Sequence, residues 1–156
     1  MSTSRSLPST GLLSVLTGDG RPLIAATGLA LVVSGLFAIF LGVRKEFLPH
    51  DEAFLGMTPR QLCSVNECRV VHFMIHDRVS FGGALVAIGS VYLWLVAGPI
   101  SAGEKDAWEL LGASGVVGFP GFLASLGFGY PGTWHRAATG ILAPPLLAGI
   151  LRTRRQ

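Results

Sequence analysis

The stretch PLIAATGLALVVSGLFAIFLGV, residues 22–43, decides how this chain is read: it is 22 residues without a single charge. A helix needs about 20 apolar residues to cross the roughly 30 Å of hydrocarbon in a bilayer. Asp19, Gly20 and Arg21 stand before it as turn and polar residues. Pro22 takes the first helical position, where its missing N–H costs nothing. The run starts too late and is too long for the apolar part of a cleavable signal, so it reads as a retained anchor.

Working outward, three more runs resemble it. Residues 79–98 and 110–130 are uncharged over 20 and 21 residues, and residues 137–151 are uncharged over 15. The last reaches spanning length when the turn from Trp134 is included and Arg136 snorkels to the surface; its competitor is a re-entrant or interfacial segment. The composition agrees: 50% of residues are hydrophobic and 13% charged, against about 25% charged in an average soluble domain. A net charge of +3 with no basic stripe makes nucleic acid a poor partner. The expectation is an all-α, four-helix transmembrane bundle. Residues 1–21 form an N-terminal tail, 22–151 the membrane domain with spans near 22–43, 79–98, 110–130 and 134–151, and 152–156 a basic tail.

The aromatic residues fit these spans. Tyr92, Trp94 and Trp108 are expected at one membrane face, Tyr130 and Trp134 at the other. Basic residues divide equally between the two sides, so orientation turns on the cluster Arg152, Arg154 and Arg155 beside the last span. By the positive-inside rule the termini are expected in the cytoplasm of a multi-pass cell (inner) membrane protein.

Small residues indicate where helices meet, because lipid gives helices no hydrophobic reason to associate. Gly28, Gly35 and Gly42 recur every seven residues, with Ala25 and Ala38 beside them. In the third run Gly112, Gly115, Gly118 and Gly121 recur every three, a stripe that drifts around the axis. In the fourth, Ala137, Gly140, Pro144 and Ala148 form a stripe, and Pro144-Pro145 is expected to kink or locally unwind it.

Residues 44–78 hold 10 of the 21 charged residues, both cysteines and three of the four histidines. Thr58-Pro59-Arg60-Gln61 matches a capping box with Pro at the first helical position, and Ser64-Val65-Asn66-Glu67 matches a second. The second long helix is therefore expected to start at Val65. His72 and His76 are four apart and share a face with Ser80, Gly83, Ala87, Ser90 and Ala97. That small-residue face is expected to pack inward, and His135 begins the fourth span on the same membrane side. Two readings stay open. The histidines hydrogen-bond across helices, or His72, His76 and His135 hold a metal ion or a haem, with Asp51, Glu52 and Asp77 nearby. Arg78 is expected to snorkel to phosphate and Asp77 to pair with Arg136.

Cys63 and Cys68 lie five positions apart, about 140° around one continuous helix and unable to bond. A helix break at Ser64 removes that obstacle. A disulfide ranks first, free thiols second, and zinc with His72 and His76 third. The spacing is not C-x-x-C, which weakens a thioredoxin-like redox pair.

The segments FLPHDEAFLGM, residues 47–57, and HFMIHDRVSFGG, residues 72–83, together with LGFGY at 126–130, resemble a group of bacterial multi-helix membrane proteins with no established activity. The resemblance implies location and architecture and assigns no residue a role. There is no P-loop, no G-x-S-x-G elbow and no H-E-x-x-H. The midplane of the runs lacks any ionisable residue, which argues against a transporter. A non-enzymatic structural or accessory subunit is expected, in contact with lipid and with other membrane subunits or further copies of itself. The alternative is a metal- or haem-binding redox protein with its site at the membrane surface.

Overall fold

The computed structural model describes residues 20–127 and 133–153. Expectations for residues 1–19, Tyr130, Arg154 and Arg155, and for the side chains of Trp134 and His135, lie outside that set. All regular structure among the described residues is helical: α1 (Arg21–Arg44), α2 (Pro49–Leu55), α3 (Pro59–Val65), α4 (Arg69–Ala97), α5 (Lys105–Gly127) and α6 (Thr133–Thr153). Of these, α1 and α4 are long and apolar enough to cross a membrane, and residues 140–153 form a shorter apolar stretch.

The centre of the fold is an antiparallel pairing of α1 with α4. It is built on glycines that step seven residues along each helix. Gly28 faces Gly89, Gly35 faces Gly82, and Gly42 faces Val79 and Ile75. A Cβ on Gly35 would lie 2.5 Å from the Gly82 carbonyl oxygen, and one on Gly89 would lie 2.5 Å from the Gly28 carbonyl oxygen. Each backbone occupies the space that a side chain would need. The remaining gaps are filled by Val and Ile from the partner helix: Val86 against Gly35, Val79 against Gly42, Ile39 against Gly82 and Val32 against Gly89. These β-branched side chains have one strongly preferred rotamer in a helix, so they lose little freedom on packing.

What α1 turns outward is large and apolar. Leu29, Val33, Leu36, Phe37, Phe40 and Val43 are all more than half exposed. Small residues inside and large apolar residues outside invert the soluble pattern and match helices that meet in lipid.

The helices α5 and α6 join this pair at the end where α1 begins. There Ile24, Tyr92, Leu95, Ala107, Leu111, Leu146 and Ile150 form the core. Gly20 and Gly149 are in close backbone contact, and a Cβ on Gly149 would meet Ile24 at 2.7 Å. The Trp108 indole N–H donates to the Ile150 carbonyl oxygen at 2.8 Å. Tyr92 and Ser114 share a hydroxyl hydrogen bond of 2.6 Å. The Ser114 hydroxyl also lies 2.9 Å from the Leu111 carbonyl oxygen.

Several expectations change here. Tyr92, expected at a membrane face, is buried among the core residues at this end of the bundle. The small-residue stripe of α6 is not its packing face: Gly140 is exposed, and Leu146, Gly149 and Ile150 make the contacts. The chain stays helical through Pro120 and through Pro144-Pro145. On α4, the face carrying His72, His76, Ser80, Gly83, Ala87, Ser90 and Ala97 is exposed. The packed face carries Val71, Gly82, Gly89, Tyr92 and Leu95. The helix has two smooth sides, and α1 takes the one whose glycines recur at its own seven-residue step.

Candidate functional site

The charged segment between α1 and α4 folds into two short helices laid beside the start of α4. The end of α1 sets its direction. Lys45 is left-handed (φ 56°); its N–H bonds the Gly42 carbonyl, and the Glu46 N–H bonds the Leu41 carbonyl. These are the two hydrogen bonds of a Schellman motif, here built without the usual glycine. Pro49 then opens α2, and Gly56 in the left-handed region (φ 65°) ends it. Thr58 caps α3 as the sequence indicates: its N–H donates to Gln61 Oε1 at 2.8 Å, and its Oγ1 accepts from the Gln61 N–H at 3.3 Å.

The second capping box is not used. The Ser64 hydroxyl donates back to the Gln61 carbonyl. The chain breaks after Val65, Glu67 and Cys68 are both left-handed, and α4 starts at Arg69, four residues later than expected. Across this break the sulfurs of Cys63 and Cys68 are 2.09 Å apart as a disulfide that ties α3 to α4.

A densely bonded polar group in this region is Arg78, where α4 meets its long apolar run. One guanidinium nitrogen donates to the Glu46 carbonyl oxygen at 2.8 Å. The other donates to Asp51 Oδ2 at 2.6 Å. The guanidinium carbon sits 5.8 Å from the centre of the Phe47 ring, within cation–π range. Asp51 Oδ2 also accepts the Leu48 N–H at 3.0 Å, which caps α2, and His50 Nε2 lies 3.6 Å from Asp51 Oδ1. Arg78 and Asp51 keep only 19% and 11% of their side chains exposed. Arg78 therefore holds the linker and α2 against α4, and its donors serve protein oxygens where phosphate was expected. Asp77 is exposed, and among the described ion pairs none joins it to Arg136.

His72 and His76 point away from this clamp, on the exposed face of α4. Among the described residues no three His, Cys, Asp or Glu side chains converge on a metal-sized site. Two clefts are charged at the rim. One of about 550 Å³ lies beside the clamp, between Lys45, Glu46, Glu52 and Arg60. The other, about 730 Å³, lies at the opposite end of the molecule among Arg21, Glu104, Lys105, Trp108 and Thr153. Each mixes cations with carboxylates.

Sequence reasoning missed the Arg78–Asp51 pair. The available signal was weak: a lone Arg at the mouth of an apolar run, and an acidic residue three positions after Leu48 in a Pro-led helix. Comparison with protein family models, with characterised proteins and with solved structures finds no match to this chain.

Proposed function

We propose that this chain is a four-span membrane protein that acts as a non-enzymatic accessory or structural subunit, with both termini in the cytoplasm. The observation that carries the reading is the pair of smooth faces on α4. One is filled by α1. The other, through Ser80, Gly83, Ala87 and Ser90, is exposed, and a Cβ on Gly83 would meet nothing within 4 Å. Faces of this kind admit another helix at close range. The clamp at Arg78 supports the same reading: it uses its charges to fix α2 on α4. The fourth span and the orientation rest on the run at residues 137–151 and on the basic tail.

The test is the size of the particle extracted in mild detergent, for the wild type and for Gly83→Leu. The expected result is an assembly larger than the 16.4 kDa chain that Gly83→Leu disperses. A monomer in both cases overturns the subunit reading. For orientation, a cytoplasmic-type reporter fused after Gln156 should be active, and activity of a periplasmic-type reporter there reverses the assignment.

A further inference from the structure

We infer that the Cys63–Cys68 disulfide is a redox-active pair that accepts electrons from a dithiol, and not a bond that stabilises the fold. Three observations carry this. First, the closed loop is short, with a sequence separation of 5. The stabilisation a cross-link gains by restricting the unfolded chain grows with loop length, so it is small here. Second, the segment that the bond closes has a costly backbone. Glu67 and Cys68 are consecutive non-glycine residues at φ 45° and 61°, a region that an L-residue avoids because of its Cβ. Third, Cys68 is the N-cap residue of α4, a helix of 29 residues. Normal N-caps are extended, with a side-chain acceptor aimed at the first turn. With the disulfide formed, Cys68 is left-handed and makes no side-chain cap hydrogen bond. Reduction frees it to become extended, and its thiolate then sits at the positive end of the helix.

Both effects favour the reduced form. Both sulfur-bearing residues are also partly exposed, which gives a partner access. The chemistry is thiol–disulfide exchange. A thiolate of the dithiol attacks Cys63 Sγ, the Sγ–Sγ bond breaks, and Cys68 leaves as the thiolate held by the helix end. The second thiol of the partner, as its thiolate, attacks its own sulfur in the mixed disulfide and releases Cys63. The dithiol becomes a disulfide, and two electrons and two protons pass to Cys63 and Cys68.

The experiment equilibrates the full-length protein in detergent with stepped ratios of reduced to oxidised glutathione, natively and after denaturation in SDS. Maleimide labelling after acid quench reads the reduced fraction. A structural disulfide is harder to reduce in the folded protein than in the unfolded chain. The expected result is the reverse: half-reduction of the folded protein at a glutathione ratio, [GSH]²/[GSSG], roughly tenfold lower than in SDS. Glu67→Gly removes the steric cost at that residue and should raise the ratio needed by the folded protein roughly fivefold. A folded protein that stays oxidised where the denatured chain is reduced overturns the inference. So does a Glu67→Gly midpoint equal to the wild type.

Discussion

Glycines do opposite things in α1 and α5. In α1 the stripe Gly28, Gly35 and Gly42 is in contact with α4 along its length. In α5, Gly112, Gly118 and Gly121 meet nothing within 4 Å, and Gly115 would touch only Leu146 at 3.5 Å. The difference lies in the step. Seven residues nearly complete two turns, so a seven-residue repeat stays on one face and can be matched by a second helix with the same repeat. Three residues fall short of a turn, so glycines at that step spread around the axis and offer no continuous groove. Glycine content therefore does not locate a helix contact. Glycine content at a matched period does, provided the partner supplies branched residues to fill the gaps, as Val79, Val86, Val32 and Ile39 do here.

The comparison can be broken most forcefully at its centre. Gly35→Leu places a whole side chain where the Gly82 carbonyl and Val86 already sit. It should cost about 3 kcal/mol or more, read as a lowered midpoint in thermal unfolding of the detergent-solubilised protein. The polar end of the same helix pair comes next. Arg78→Ala takes the guanidinium away from the Asp51 carboxylate, which is only 11% exposed, and should cost about 2–4 kcal/mol. Arg78→Lys should lose less, because it keeps the charge and gives up the forked geometry. Easier proteolysis between residues 45 and 58 in Arg78→Ala would confirm that the clamp holds the linker.

Smaller effects sharpen the boundary between packed and open surface. Thr58→Ala removes the cap of α3 at an exposed site and should cost about 1 kcal/mol, seen as faster amide exchange at residues 60–62. Within a single chain, His72→Ala and His76→Ala should each change stability by less than about 0.5 kcal/mol, because both side chains stand on the open face of α4. A loss of 1 kcal/mol or more from either would mean that a partner covers that face in the purified particle.

Much of the architecture was legible from residue order. The four long helices follow from the lengths of the apolar runs, the α1 contact stripe from its seven-residue glycines, and the α3 cap from Thr58 and Gln61. The face of α4 was not legible. Gly82 and Gly83 are adjacent, so each opens a different smooth stripe, and the histidine spacing selected the one through Gly83. The pairing is decided by Gly82 and Gly89 matching the α1 repeat, a relation between two helices that neither shows alone. The start of α4 was misplaced because Ser64 bonds backward to Gln61, and the left-handed residues 67 and 68 consume the next turn. The Arg78–Asp51 clamp joins residues 27 apart. No local pattern encodes it, because it depends on α2 folding back across the mouth of α4.

The central claim is that matched glycines, and not glycines in general, build this fold. It is tested most directly by one paired measurement: the change in unfolding free energy for Gly35→Ala and for Gly118→Ala in the same detergent. At Gly35 the new Cβ would lie 2.5 Å from the Gly82 carbonyl oxygen, backbone that can yield only by separating the helices, and a loss of about 1–3 kcal/mol is expected. At Gly118 nothing lies within 4 Å, so the gain in helix propensity of about 0.5–1 kcal/mol is expected to stabilise the protein. Opposite signs support the account. Equal losses at the two sites, or no loss at Gly35, would contradict it.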